Sequence, residues 1–590
     1  MDLKNLFEFQ REMVASHARG DNETTARAMA GLLGELENQP IGVAQADQQL
    51  LGRLVLQFAN IFVEPGFQVP ETVGFLILQH NCLIANIFAG CLKSTTDPYL
   101  LLVKGDKQEL YKTMVLYSAR NETPVDIAKV FQANPSLVSQ WLYQSWKLGL
   151  SAMCNKTVVE KLSRTLDEIH PRILPAADLH QLYFACTYLG NERERRIKEI
   201  LNQSVQRNLK KPINNTPNPR KVAVFSDHFW KGHSVYRTLA HYIRALKESG
   251  LELTLIHAAP IPEGRQDTEI FSRVIQLPWN GSSLDIAAIE SNDFGALIFP
   301  DVGMSLTSIF LANQRIAPVQ MILTGHPSST FGACIDYFIS GKLVENPENA
   351  HLNYGERLVM LPGYGAVHEK PSYRLRGTPP RSAGELFING SWSGQKLHWS
   401  FLNALNQVVD QAKLPVSFRI FSSVAPLRHK GASAFLSELS TQLPNSKNEV
   451  FSHLDYDSYM AKLEEADFAL DCFPFSGSNT VSDMLHLGIP VLCREGTRWF
   501  NRIGPAMLRA IGLDELVATS DSQYIRKAVR LANDADYRLR LREQIAAANL
   551  DAKLYTPTGA AEFRQFIDEV LTNPKAYPGY EPIDLSGEPD

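Results

Sequence analysis

The sequence predicts an α/β protein in which an all-α domain precedes two doubly wound domains. Three observations carry this prediction. Apolar residues recur at helical spacing through about the first 210 residues, a turn-rich stretch interrupts them at 211–220, and apolar strands then alternate with amphipathic helices. The predicted domains are 1–215, 221–375 and 385–573, with a Pro-, Gly- and Arg-rich linker at 370–385 between the last two.

The first domain is predicted from helical periodicity alone. Successive apolar residues fall three or four positions apart, and no strand-turn-strand pattern interrupts them. No sequence signature recurs at a fixed interval, so the region is not assigned to a known helical repeat. The residues that carry the pattern are Leu51, Leu54, Val55, Phe58, Ile61, Phe62, Leu142, Trp146 and Leu150.

The two later domains are predicted from strand and helix alternation, which favours parallel sheets covered on both faces. The last helix, at 559–573, is expected to pack back on the first doubly wound domain, and 574–590 are expected to form a loose tail. The predicted strands lie at 221–227, 251–259, 296–300, 319–325, 335–341, 357–363, 385–392, 417–423, 448–454, 468–474 and 489–495.

Composition and charge exclude several functional classes. The net charge is -5 and no dense basic stripe occurs, so a nucleic-acid partner is not expected. The seven cysteines are scattered without a C-x-x-C pair, as in reduced proteins. The N-terminus lacks a signal-peptide layout, and polar residues break the apolar stretch at 73–92. We therefore predict a cytoplasmic protein without membrane insertion.

The strongest chemical motif is the segment DCFPFSGSNTVSDMLHLGIPVLCREG at 471–496. A strand ends before Phe475, a small polar loop follows through Ser478 and Thr480, and a helix is expected to begin near Val481. Exposed N–H groups and the positive end of a helix favour phosphate binding there. Asp483, one turn further, is suited to ribose hydroxyls. The alternative is an ordinary helix with Asn479 as its N-cap.

Two further loops follow predicted strand ends. GSWSGQKLHW at 390–399 contains Ser393 and Gln395, and its Lys396 is suited to meet a pyrophosphate as a point charge. SDHFWKGHSVYRT at 226–238 contains His228 and His233, with Arg237 one turn into the following helix. A histidine at such an edge is suited to act as a base or as a hydrogen-bonding group.

A fourth loop, TGHPSST at 324–330, adds His326. Each of these histidines, and the lysine, is also compatible with a purely structural role. The triplet Asp534-Ala535-Asp536 has the spacing of a metal-binding carboxylate pair, but it lies between helices and is interpreted as a helix start. We therefore expect Lys396 and helix N-termini, and no metal, to neutralise a pyrophosphate.

Together these segments resemble a known family. TGHPSSTFGACIDYFISG, GSWSGQKLHWSFLNAL and CFPFSGSNTVSDMLHLGIPVL are similar to the donor-site segments of the bacterial cytoplasmic N-glucosyltransferases that modify large adhesins. More distantly they resemble the O-linked N-acetylglucosamine transferase. The resemblance covers residues 220–570 by motif, and an all-α N-terminal domain is also typical of the bacterial group.

The resemblance implies two Rossmann-like domains (the type B glycosyltransferase fold) and a UDP-sugar donor, UDP-glucose or UDP-galactose. It implies inverting transfer, without metal or cofactor, to asparagine in Asn-X-Ser/Thr of a polypeptide such as an adhesin or autotransporter. The positions that match the family's donor site are Ser393, Gln395, Lys396, His453, Phe475, Ser478, Asn479, Thr480 and Asp483.

The resemblance also implies that His233 and Lys396 take part in catalysis, and that His228, Arg237 and His326 face the sugar and acceptor. Resonance makes the acceptor amide a poor nucleophile. Its proton acceptor is His233, a donor phosphate oxygen, or neither. Two alternatives stay open: a protein O-glycosyltransferase or saccharide transferase of the same fold, and a non-catalytic scaffold.

Overall fold

The computed structural model describes residues 3–38, 45–104, 109–146, 153–168, 173, 179–190, 193–207, 216–281, 283–290, 292–346, 348–377, 384–421, 439–451 and 454–587. The chain forms two compact units. The first comprises Met1–Arg193, Ser391–Gln411 and Val416–Asp455, and the second comprises Glu194–Gly390, Ala412–Pro415 and Tyr456–Asp590. The three predicted domain ranges stay predictions.

Helices and strands follow the predicted order along the chain. The α-helices are α1 Leu3–Ala18, α2 Asn22–Asn38, α3 Gln45–Phe62, α4 Glu71–Leu78, α5 Asn81–Cys91, α6 Asp97–Val103, α7 Leu110–Leu116, α8 Ile127–Ala133, α9 Pro135–Ser145, α10 Lys156–Glu168, α11 Leu179–Ala185, α12 Arg193–Gln206, α13 Ser234–Glu248, α14 Ala287–Glu290, α15 Leu306–Ala312, α16 Trp399–Gln411, α17 Tyr456–Glu464, α18 Asn479–His486, α19 Ile503–Ala510, α20 Asp521–Asn533, α21 Ala535–Ala547, α22 Leu550–Leu554 and α23 Ala560–Thr572.

The strands confirm the predicted alternation. They are β1 Asn218–Phe225, β2 Glu252–His257, β3 Arg273–Gln276, β4 Trp279–Asn280, β5 Ser283–Leu284, β6 Phe294–Phe299, β7 Val319–Ile322, β8 Tyr337–Gly341, β9 Arg357–Leu361, β10 Leu386–Gly390, β11 Val416–Phe421, β12 Lys447–Phe451, β13 Phe468–Leu470, β14 Val491–Arg494, β15 Val517–Ala518 and β16 Ile583–Asp584.

The N-terminal part of the first unit is helical, as predicted, and polar side chains in its core donate hydrogen bonds between helices. The buried Asn81 side chain donates to the carbonyls of Met114, Val115 and Tyr117, so it joins the start of α5 to the end of α7. Trp141 of α9 donates to the same Tyr117 carbonyl and stacks on the tyrosine ring at 5.4 Å. These bonds hold together short helices that would have little stability in isolation.

The second unit contains an eight-stranded sheet in the order β16-β9-β8-β7-β6-β1-β2-β3. Its neighbouring strands run parallel. After β1 the chain builds outward through β2 and β3, and it then returns to the other side of β1 with β6. The strand order therefore reverses between β1 and β6, which is where doubly wound sheets form a ligand crevice.

Helices α13 and α23 cover this sheet with one apolar core. Leu239 and Ile243 of α13 and Phe563 and Phe566 of α23 are buried in it beside residues of the strands. The polar composition predicted a loose tail at 574–590, but part of this segment forms a strand. Ile583 pairs in parallel with Val359, so β16 extends the sheet by one strand. A two-residue apolar match at a sheet edge is too short a signal to detect in the sequence.

A second parallel arrangement follows in the same unit. Strands β10, β13, β14 and β15 pair in this order, and β10 carries the chain back into the first unit at Ser391. The first unit in turn contains the parallel pair of β11 and β12. Loops that leave the carboxyl ends of β1, β7 and β13, together with the first turns of the helices that follow β1 and β13, carry most of the predicted site residues.

Three smaller expectations concern cysteines, hydropathy and the acidic triplet. None of the seven cysteines, all within the described residues, forms a disulfide. No single helix of the described chain has the length and hydropathy of a membrane span, although α4 and α5, bent by 48°, meet both criteria together. Asp534 is the N-cap of α21, where its carboxylate accepts the Tyr537 N–H, which confirms the predicted helix start.

Candidate active site

The crevice between β1 and β6 contains a buried acid that organises the first histidine loop. Asp301, which follows β6, accepts a hydrogen bond from Ser226 at 2.6 Å and lies 3.4 Å from Nδ1 of His228. Ser226 Oγ in turn accepts the His228 N–H. Burial opposes charge on His228, but the Asp301 carboxylate outweighs it and raises the pKa of the imidazole. Asp301 and Ser226 therefore hold the His228 loop in place and favour the protonated ring.

The neighbouring His233 has the opposite electrostatic character. It is the N-cap of α13, and its Nδ1 accepts the Val235 N–H at 3.2 Å. Its ring stacks on that of His228 at 5.1 Å. Burial, followed by the charge of His228, lowers the pKa of His233 to about 4. At neutral pH the ring is uncharged, and because Nδ1 accepts a hydrogen bond, the imidazole proton resides on Nε2.

The phosphate-loop prediction falls on a tight turn built around Asp471. This carboxylate accepts hydrogen bonds from the Ser476 hydroxyl and from the Gly477 N–H, the latter at 2.8 Å. A Cβ at Gly477 would lie 1.9 Å from Thr480 Oγ1, so a larger residue there would displace the threonine or the loop. The acid thus bends the chain back before α18 begins.

The N-terminus of α18 is open. The helix begins at Asn479, two residues before the predicted start, and its N-cap is Ser478, whose side chain makes no capping bond. The alternative prediction of Asn479 as N-cap is therefore wrong, because its amide instead reaches the Ser234 carbonyl at 3.2 Å. Within the described chain, no acceptor takes the N–H groups of Thr480 and Val481. These groups are available to an anion.

Asp483, one turn into α18, has its carboxylate held by two other side chains. Arg237 donates to Oδ1 at 2.7 Å and approaches Oδ2 at 3.5 Å, and the Tyr456 hydroxyl donates to Oδ1 at 3.0 Å. The guanidinium also lies 5.1 Å from the Tyr456 ring centre. Arg237, predicted to face the sugar and acceptor, is thus placed on the ribose-type carboxylate. Oδ1 accepts both short hydrogen bonds, whereas Oδ2 has only the 3.5 Å contact with Arg237.

His326 lies in an aromatic stack beside the phosphate loop. Its ring is parallel to that of Phe475 at 6.4 Å, and Phe475 stacks on Phe500 at 4.5 Å. Burial, followed by the charge of Lys198, lowers the pKa of His326 to about 3. The following residues are tied to α12, where Lys198 donates to Ser328 Oγ at 2.8 Å. The loop with His326 is therefore fixed in place from α12.

The lysine motif belongs to the first unit. Ser393 precedes a short 3-10 turn, Gly394–Lys396. The sequence had predicted these residues as a loop that leads into the following helix. The Lys396 N–H donates to the Ser393 carbonyl at 2.8 Å, and Lys396 is half-buried while Gln395 is buried. The Trp399 N–H donates to the Met153 carbonyl, which anchors the start of α16. His453, predicted to contact the donor, lies outside the described residues.

Three side chains of the site, Asp301, Tyr456 and His368, were not predicted from the sequence. Asp301 directly follows the strand ending at Phe299, so its position after a strand was a usable signal. Tyr456 opens α17 and His368 follows β9, and neither has a local pattern that separates it from ordinary surface residues. Both become visible only through their contacts with Asp483 and Ser478.

The fold is the type B glycosyltransferase fold, with two Rossmann-like domains and an all-α N-terminal region. The structure is similar to that of a variant of the Thermobaculum terrenum O-GlcNAc transferase, with a TM-score of 0.59. The similarity covers 97% of this chain and 99% of the other at 18% identity.

More specific similarities come from sequence. The model of glycosyl transferase family 41 matches residues 440–561, which include the phosphate loop. The UDP-glucose:protein N-beta-glucosyltransferase of Actinobacillus pleuropneumoniae serotype 5b (strain L20) is 26% identical over 551 residues, 85% of this chain and 86% of that protein. The probable UDP-N-acetylglucosamine--peptide N-acetylglucosaminyltransferase SPINDLY of Solanum lycopersicum is 28% identical over 293 residues, 45% of this chain and 30% of that protein. These similarities confirm the resemblance that the motifs indicated.

Proposed function

We propose that this chain transfers glucose from UDP-glucose to the side-chain amide of asparagine in Asn-X-Ser/Thr sequences of polypeptides. The observation that carries the proposal is the open N-terminus of α18, with Gly477 beneath Thr480 and Asp483 one turn further. This arrangement offers N–H groups to a diphosphate and a carboxylate to a ribose. The name of the Actinobacillus relatives supports the sugar and the protein acceptor.

In the proposed reaction the amide nitrogen bonds to the anomeric carbon while the bond from that carbon to the UDP oxygen breaks. The electron pair leaves with UDP, and a single displacement inverts the anomeric centre. The N–H groups of α18 stabilise the charge that develops on the leaving diphosphate, and the family resemblance gives Lys396 the same role. The amide proton passes to a donor phosphate oxygen, because the Nδ1 lone pair of His233 is already engaged by Val235.

His233 then acts as a hydrogen-bond donor through Nε2–H. Its pKa of about 4 keeps the ring neutral, and its capping bond fixes the ring orientation. We propose that the reaction needs no metal, takes place in the cytoplasm, and acts on unfolded or exported polypeptides such as adhesins or autotransporters. UDP-galactose is the second donor that the proposal admits.

The test is mass spectrometry of an Asn-X-Thr peptide incubated with purified protein and UDP-glucose. Hexose added to asparagine, unaffected by EDTA, is the expected product, and Lys396→Ala should lower the rate roughly 100- to 1,000-fold. Peptides with glutamine for asparagine, or with alanine for threonine, serve as acceptor controls. Hexose on serine or threonine would favour an O-glycosyltransferase, loss of activity in EDTA would overturn the metal-free step, and UDP binding without turnover would favour a scaffold.

A further inference from the structure

His368 is a buried histidine that touches the phosphate loop. It follows β9, only 1% of its surface is exposed, and its Nε2 lies 2.8 Å from Ser478 Oγ. Ser478 itself is half-buried at the open end of α18. Ser478 is the N-cap residue of α18, but its hydroxyl makes no capping bond and contacts His368 instead.

The position of the ring is set by α13. The N–H groups on either side of His368 both donate to this helix: Val367 bonds to the Thr238 carbonyl and Glu369 to the Arg237 carbonyl, each at 2.8 Å. Two backbone bonds to consecutive helical carbonyls leave the intervening residue little freedom. The imidazole is thus held against Ser478 by a rigid element that is separate from the phosphate loop.

Hydrogen bonding decides which ring nitrogen carries the proton. Nδ1 of His368 is buried and, among the described residues, has no hydrogen-bond partner. Burial, followed by the charge of Arg237, lowers the pKa of the ring to about 3, so it is neutral. A proton on Nδ1 would strand a buried donor, which is rarer in proteins than a stranded acceptor. The proton therefore resides on Nε2 and is donated to Ser478 Oγ.

A serine oxygen that accepts a hydrogen bond still has its own proton to donate. We propose that His368 is a positioning residue for the sugar donor: it occupies the Ser478 oxygen, so that the hydroxyl proton turns toward the diphosphate at the N-terminus of α18. This inference rests on the proposed function, because it needs a nucleoside diphosphate in that loop. In this proposal the phosphate loop is held by a residue that follows β9 of the eight-stranded sheet.

The test compares the affinities of UDP and uridine by calorimetry in the full-length protein. His368→Leu and Ser478→Ala should each weaken UDP binding about tenfold, since an oriented hydrogen bond to a charged group is lost. The double variant should be about as weak as either single variant, because both remove the same bond. His368→Gln, whose amide N–H reaches a similar position, should restore most of the affinity. Uridine, which lacks phosphate, should bind all variants nearly equally.

A matched control lies at the other end of the same helix. His486→Leu removes a histidine that contacts the Tyr373 carbonyl at 2.9 Å and should leave UDP affinity unchanged. Losses that multiply in the double variant, or equal losses for uridine and UDP, would overturn the positioning role. Wild-type protein that binds UDP but transfers no glucose contradicts the proposed function alone. Wild-type protein that binds no UDP contradicts both.

Discussion

The loops after β1 and β13 both connect a strand to a helix, but the helix N-terminus is capped by a side chain in the first and uncapped in the second. The loop after β1 ends at α13, whose N-terminus is closed because His233 Nδ1 accepts the Val235 N–H. The loop after β13 ends at α18, whose N-terminus is open because the Ser478 side chain makes no capping bond. The first therefore presents an imidazole, while the second presents backbone N–H groups to an anion.

A buried acid under each loop explains the difference. Asp301 comes from a neighbouring strand and binds side chains, those of Ser226 and His228, so that it orients a ring. Asp471 belongs to the loop that it organises and binds the Gly477 N–H, so that it shapes the backbone. One fold unit thus becomes a histidine site or a phosphate site according to what its acid binds.

The largest effect should come from closing the open loop. Gly477→Ala places a Cβ 1.9 Å from Thr480 Oγ1, so the threonine or the loop must move. We expect UDP affinity, measured by calorimetry, to fall roughly 100-fold, as for the loss of two charge-assisted hydrogen bonds. Gly488→Ala, at the far end of α18, has no neighbour within 4 Å and should cost only about 1 kcal/mol of folding stability at its positive φ. Normal UDP binding by Gly477→Ala would refute the idea that this glycine shapes the site.

The closed loop can be divided into its two roles. His233→Asn keeps a capping acceptor but removes Nε2–H, whereas His233→Ala removes both. Both variants lose the Nε2–H hydrogen bond and should lose roughly 10- to 100-fold in transfer rate, and only the alanine variant should lose about 1 kcal/mol in the free energy of unfolding. Kinetics with the peptide acceptor and denaturant unfolding measure the two quantities. Full activity in His233→Asn would reduce the imidazole to a cap.

The neutral histidines beside the phosphate loop should make the fold sensitive to acid. The pKa of His326 and of His368 is lowered from 6.5 to about 3, mainly by burial. Because the unfolded chain takes up these protons first, their stability is present above pH 6.5 and is lost as the pH falls toward 3. Each should cost about 2 kcal/mol at pH 5.

Denaturant unfolding at pH 7.5 and pH 5 checks this prediction. His368→Gln should lose about 2 kcal/mol less than wild type between the two pH values, since one acid-sensitive group is gone. An equal loss in both proteins would mean that His368 is already protonated, or is not buried, in the folded state.

The smallest effect concerns the charge under the first loop. Asp301→Asn removes the carboxylate that raises the pKa of His228, so that pKa should fall, while Ser226→Ala should leave it close to wild type. A histidine with a raised pKa stabilises the folded state at pH values below the pKa of the unfolded chain. The stability that the wild-type pair supplies is therefore lost as the pH rises through the raised pKa of His228. NMR titration of the imidazole nitrogens provides the measurement. An unchanged value in Asp301→Asn would show that the acid only orients the ring.

Much of this site was predictable because strand ends can be located by hydropathy. Ser478 and Asp483 lie where the sequence placed them relative to a strand and a helix, and so do His228 and His233. Thr480, predicted in the loop, lies in the first turn of α18. The capping role of Asn479 was wrong, because the helix begins at Asn479 itself and the Nδ2 of that side chain donates to the Ser234 carbonyl of another helix. A cap preference describes local bonds, and a tertiary contact overrode it.

The sequence by itself determined the order of helices and strands, the identity of the loops, and the glycine that permits the phosphate turn, since these depend on short-range periodicity and on residue type. Only the tertiary structure decided that Asp301 lies under His228, that Arg237 and Tyr456 share Asp483, and that His368 reaches Ser478. For the first pair the physical reason is the reversal of strand order between β1 and β6, which brings together residues 73 positions apart. The contact of His368 with Ser478 joins segments, 110 residues apart, that follow strands of two different sheets. No local pattern encodes such a pairing.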